Sequence, residues 1–160
     1  MITFNADEIF EMAEQIERNG AKFYRKASES ADGNSRDLLL RLAAMEDDHE
    51  KTFASIRAEL ADAEKHSVTA DPDNEAALYL QAAAEGKVFS ADPSEALSGA
   101  EPIEDILNTA ISLEKDSIVF YHSMKDVVPK TVGKGRIDMI IKQEIGHILE
   151  LTKQLEAIGK

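Results

Sequence analysis

Met45-Glu46-Asp47-Asp48-His49-Glu50 sets a carboxylate and an imidazole on one stretch with strong helical periodicity. Residues three apart share a helix face, so Glu46 and His49 project the same way. They belong to the series Leu39, Leu42, Glu46, His49, Phe53, Ile56, Leu60, which alternates steps of three and four. That is the spacing of a seam packed against other helices. A carboxylate and an imidazole in mid-seam are costly to bury unless something compensates them. Gln143-Glu144-Ile145-Gly146-His147-Ile148 repeats the motif inside a second seam, Ile137, Ile140, Glu144, His147, Leu151, Ile158. Two such motifs point to metal as the compensation.

Working outward, the chain reads as all-α. Asn5 is an N-cap with Glu8 placed for a capping box, and a first helix is expected from there to Ser30. Its inner face is Phe10, Ala13, Glu17, Gly20, Tyr24, Ala27. Asp32-Gly33-Asn34 is a turn, with Ser35 able to cap a second helix reaching Lys65. The short turn makes an antiparallel hairpin, residues 5–65. Residues 66–100 read as a crossover with a shorter helix over Glu75–Phe89. A helix of ~30 residues is about 45 Å long, and a crossover of this length can return the chain to the other end of it. Pro102 opens a third helix that stops before Pro129, with inner face Leu107, Ala110, Glu114, Ser117, Tyr121, Met124. A fourth runs to Ile158, with Gly159 as its stop, closing a second hairpin, residues 101–160.

The two hairpins match. An offset of 97 lays Ala13 on Ala110, Glu17 on Glu114, Gly20 on Ser117, Phe23 on Phe120 and Tyr24 on Tyr121. An offset of 98 lays Leu39 on Ile137, Leu42 on Ile140, Glu46 on Glu144, His49 on His147 and Phe53 on Leu151. Bundle periodicity accounts for the shared aliphatic positions but not for Glu, His, Phe and Tyr at nearly one offset. Two such hairpins pack as one four-helix domain with pseudo-twofold symmetry.

Four-helix bundles hold paired metal ions with one Glu from each of two helices and a Glu-x-x-His from each of the others. The set here is Glu17, Glu46, His49, Glu114, Glu144 and His147. Its four carboxylates balance two divalent ions. Mixed oxygen and nitrogen donors suit iron or manganese, with zinc a further occupant. Symmetry makes Glu46 and Glu144 bridges, Glu17 and Glu114 terminal ligands, and gives each ion one His. The alternative is a buried ion network with Arg25 or Lys142, but no Lys or Arg falls on the seams. Tyr24 and Tyr121 follow Glu17 and Glu114 by two turns. They are candidate catalytic-site residues, each donating a hydrogen bond to a ligand carboxylate; ordinary core tyrosine is the competing reading. Gly20 and Ser117 either leave room for oxygen or peroxide or let helices pack closely. His66 and His122 fall off the seams and are expected at the surface. Glu85 in the crossover is expected in solvent, with reach to a metal as the other reading.

Composition narrows the function. The 160 residues carry a formal net charge of −13, the wrong sign for phosphate backbones or an anionic membrane. There is no Cys, which excludes thiol catalysis, disulfides and cysteine-ligated iron within the chain. The N-terminal residues lack a signal peptide's basic and apolar regions, and no apolar run approaches the ~18 residues of a membrane span. A cytoplasmic protein is expected.

Glu17 with Phe23-Tyr24, Glu46-x-x-His49, Glu114 with Phe120-Tyr121, and Glu144-x-x-His147 together resemble the ferritin-like domain of the rubrerythrin family. The resemblance spans almost the whole chain. It implies a ferritin-like bundle and a non-haem di-iron centre that reduces hydrogen peroxide or oxygen in oxidative-stress defence, often in dimers and sometimes with exchanged helices. Rubrerythrins proper carry a rubredoxin domain, whose iron needs four Cys. Electrons are therefore expected from an external donor such as a separate rubredoxin. The family also has a Glu three residues after the third-helix ligand, where Ser117 stands here. Two other functions compete: iron storage or ferroxidase activity, and a metal-binding module without turnover. Ferritin shells use a short fifth helix, and with Lys160 directly after the fourth, no shell is expected.

Overall fold

The computed structural model describes residues 4–66, 75–84 and 92–160. Among these there is no strand. The helices are α1 (Ala6–Glu29), α2 (Gly33–Glu59), α3 (Asp62–Lys65), α4 (Glu75–Ala84), α5 (Ile103–Val127) and α6 (Lys134–Ile158), with a 3₁₀ turn over Pro93–Ala96. No helix among the described residues is long and apolar enough to cross a membrane.

α1 begins as expected. The Asn5 carboxamide accepts the Glu8 N–H and the Glu8 carboxylate accepts the Asn5 N–H, each at 2.9 Å. α2 starts two residues before the Ser35 cap expected for it. Gly33 takes a left-handed φ of 52°, open to a residue without Cβ, and the chain enters the helix from Asp32 with no side-chain cap. α2 also stops at Glu59, not Lys65. Leu60 adopts an extended backbone with ψ 127°, which keeps its side chain in the core, and α3 restarts after it. The Glu64 carboxylate accepts the Ala61 N–H at 2.9 Å to secure that restart. Gly159 ends α6 in a right-handed conformation, φ −71°, so its role is to stop the helix without a left-handed cap.

α1 packs along α2 and α5 along α6, and both hairpins are antiparallel. Arg57, near the end of α2, grips Asp7, at the start of α1, through two 2.8 Å hydrogen bonds. Arg18 of α1 meets Glu50 farther up α2. α2 runs antiparallel to α6, with Ser35 opposite Gln154 and Glu59 opposite Arg136. The chain therefore leaves α2 at one end of the bundle and must begin α5 at the other, where the Ser30 hydroxyl bonds the Gly99 carbonyl. In that crossing, α4 lies on α5 and the 3₁₀ turn lies on α1. The turn is held by Lys22 paired with Asp92 and by Lys26 donating to the Ser94 carbonyl at 2.8 Å.

The core has two apolar clusters. One gathers Phe10, Phe53, Phe120, Tyr121, Met124 and Ile140; the other gathers Phe23, Tyr24, Leu39, Leu42, Leu107 and Leu151. Between them every long helix carries a buried acid: Glu17 on α1, Glu46 with His49 on α2, Glu114 on α5 and Glu144 with His147 on α6.

Candidate metal centre

Each long helix delivers its mid-face acid to the bundle interior because the seam spacing leaves that position no other direction. Glu17, Glu46, His49, Glu114, Glu144 and His147 are all buried, Glu144 completely. They converge as two overlapping groups, Glu17–Glu46–His49–Glu144 and Glu46–Glu114–Glu144–His147, with the donor atoms of each group within 4.8 Å of one another. Glu46 and Glu144 stand in both groups, where bridging ligands belong. Both imidazoles turn Nδ1 inward. His49 Nδ1 lies 2.6 Å from Glu144 and 3.4 Å from Glu17; His147 Nδ1 lies 3.1 Å from Glu46 and 3.3 Å from Glu114. The rings stack at 5.5 Å.

Two tyrosines clasp the cluster crosswise. Tyr24 of the first hairpin donates to Glu114 of the second, and Tyr121 of the second donates to Glu17 of the first. α1 and α5 cross antiparallel here, so each tyrosine, two turns past its own helix's acid, arrives opposite the partner's. Burial, reinforced by the surrounding carboxylates, holds both hydroxyls protonated, well above the ordinary tyrosine range.

The electrostatics are those of a site built for cations. Burial pushes the Glu46 and Glu144 carboxyls well above the carboxylate range, and their acidic neighbours add to it. Burial also opposes charge on His147, yet the carboxylates of Glu114, Glu144 and Glu46 facing its Nδ1 raise it to about 12. Without metal the cluster thus retains protons that a divalent ion would displace.

Does the donor set fit a metal pair? Among the described residues, every buried side-chain polar atom without a hydrogen-bond partner belongs to Glu17, Glu46, His49, Glu144 or His147, except the Tyr79 hydroxyl. Buried polar atoms are seldom left unmatched, and here they concentrate on one set of carboxylate oxygens and imidazole nitrogens. Gly20 adds a steric observation. A Cβ there would stand 3.3 Å from Glu46 Oε2, so the bare backbone makes room for that carboxylate. The residues fit.

A cavity of about 50 Å³ opens between α1 and α5 and reaches Glu46 and Glu114. Gly20 and Ser117 both line it, as do Ile16, Asn19, Phe23 and Leu113, and Pro93 of the crossover forms part of its wall. The Ser117 hydroxyl is bonded to the Leu113 carbonyl at 3.0 Å, one turn back.

The buried ion network is not formed. Arg25 pairs with Asp47 at the surface and Lys142 is exposed. His66 and His122 are exposed as expected, and Glu85 lies outside the described residues. One residue went unrecognised in the sequence. Gln143 Oε1 lies 3.0 Å from His49 Nε2, the nitrogen facing away from the carboxylates. It sits on the exposed side of α6, where helical periodicity marks nothing but solvent.

The Rubrerythrin family profile matches residues 8–155. A solved structure described as that of a ferritin-like diiron-carboxylate protein, from Thermotoga maritima, superposes with a TM-score of 0.72 at 23% identity, covering 98% of this chain and 97% of that one. That likeness extends to the fold. No curated protein matches the sequence.

Proposed function

Because the chain belongs to the rubrerythrin family, we propose that it is a di-iron carboxylate oxidoreductase that reduces hydrogen peroxide or oxygen with electrons from an external donor. The two overlapping ligand groups sharing Glu46 and Glu144 carry the proposal. Glu17, Glu46, His49 and Glu144 would hold one ion, and Glu46, Glu114, Glu144 and His147 the other. A bound pair of redox metals supplies the Lewis acidity and the two electrons that breaking an O–O bond requires.

The chain's own residues do the rest. Tyr24 and Tyr121 fix the rotamers of Glu114 and Glu17 and keep their own protons. Phe23, Ile16 and Leu113 wall the cavity with apolar surface, so a small molecule reaching Glu46 and Glu114 leaves bulk water behind. Hydrogen peroxide takes up two electrons and two protons to give two waters, and at about 50 Å³ the space suits a molecule of that size. Ser117 places no carboxylate at the metals, so a metal shifting between ligands on oxidation forms no part of the proposal. Electrons enter from a separate protein, for which a rubredoxin is the proposed class.

Iron(II)-loaded protein, prepared without oxygen and given limiting peroxide, should consume one peroxide for every two ferrous ions and change its visible spectrum. Protein that holds two irons yet does neither would leave the non-catalytic metal-binding reading. Light scattering tests the associated homodimer, and a large closed assembly would favour storage.

A further inference from the structure

The duplication makes the halves of the cluster equivalent in ligands but not in what stands behind them. His49 donates its outer Nε2–H to Gln143 at 3.0 Å. His147 Nε2 is buried without a partner among the described residues. At the offset that lays His49 on His147, the counterpart of Gln143 is Met45, whose thioether is a poor acceptor. An acceptor on the outer nitrogen holds the proton there, leaves the Nδ1 lone pair free to face a cation, and makes the ring a better donor. A second difference is independent of the first. The cavity touches Glu114, which belongs to the His147 group alone, and Glu46, which both groups share, while neither histidine nor Glu17 lines it.

We propose that the two metal positions are unequal: the Glu17–His49 position fills first and anchors the pair, with Gln143 as its positioning residue, and the Glu114–His147 position is the looser one that meets a small incoming ligand. This rests on the two-metal reading above. Losing an outer hydrogen-bond partner typically weakens metal binding about 10–100-fold, so the positions should differ by roughly tenfold or more.

The test uses the metal-free full chain and Mn²⁺ alone. Crystals equilibrated with limiting Mn²⁺ should show the stronger anomalous peak at the Glu17–His49 position, and titration calorimetry should resolve two steps. Gln143→Glu, which keeps an acceptor, should preserve the order; Gln143→Leu should level it; Met45→Gln combined with Gln143→Met should reverse it. Gln143 is exposed, so its single variants leave the core untouched. Equal or opposite occupancy in the native protein, or an order unmoved by Gln143→Leu, overturns the inference and leaves the two-metal reading standing. No Mn²⁺ at either position at saturation overturns both. Azide added to the loaded crystal should appear beside Glu114; azide beside Glu17 overturns the assignment of the open side.

Discussion

Replacing Gly20 with alanine should separate the stability of the metal-free fold from the strength of the metal site. Gly20 lies in the middle of α1, and alanine there is worth up to about 1 kcal/mol in helix propensity. The new methyl would stand 3.3 Å from Glu46 Oε2, 3.5 Å from Cγ and 3.7 Å from Cδ. Only the first contact is tight, and a glutamate free to rotate relieves it by moving a few tenths of an ångström. In the metal-free protein Glu46 has that freedom, so the melting temperature should hold or rise, by about 2–4 °C if the full propensity gain appears. With metals bound, Glu46 would be held between the two proposed ions and could not yield. Affinity should drop by about 10–100-fold, the range seen when a ligand's surroundings are disturbed. Calorimetric melts with and without metal, plus competition against a chelator, read both quantities. An equal rise in melting temperature in both forms, with unchanged affinity, would refute the claim that Glu46 lies between the ions.

Tyr121→Phe strips Glu17 of its buried donor and should cost the metal-free protein about 1–3 kcal/mol in urea unfolding; an unchanged midpoint would deny that bond any role. Stability of the metal-free chain should fall as pH rises from 7 to 9. His147 is raised in the fold from 6.5 to about 12, so its contribution is full below 6.5 and lost as pH climbs toward that value, and the raised Glu46 and Glu144 act in the same sense. The slope is about 1.4 kcal/mol per pH unit for each extra proton bound, and urea titrations at stepped pH measure it. Metal affinity should run the other way, rising with pH as those protons are displaced. Ser117→Leu should fill the cavity and slow the reaction with peroxide roughly tenfold, about 1.4 kcal/mol on the barrier, while metal content by mass spectrometry stays at two. Arg57→Ala, which opens the Asp7 and Glu14 contacts at the far end of the hairpin, should cost about 1–2 kcal/mol and leave metal content unchanged.

The fold was legible because helical seams announce themselves. Polar residues at Glu17, Glu46, His49, Glu114, Glu144 and His147 interrupt otherwise apolar stripes, and the near-constant offset between halves pairs them without any structure. What stayed hidden depends on neighbours across a helix interface. Spacing along α1 puts Tyr24 on the right face but cannot say that its acceptor is Glu114 rather than Glu17. Gln143 was invisible because an exposed glutamine beside a ligand looks like any solvated residue. The break at Leu60 was missed because its side chain continues the seam while its backbone leaves the helix, and periodicity reports only the side chain. Pro93 reads locally as a turn former; only the path of the crossover carries it to the cavity.

The crossed tyrosines also bear on origins. Neither hairpin alone contains both a terminal glutamate and the hydroxyl that holds it, so an ancestral half-length chain would have needed a second copy of itself to assemble one complete clasp. Gene fusion through the crossover would then have ended the obligation to keep the copies identical. Sequence drift at Gly20 against Ser117, and at Met45 against Gln143, is what that release permits.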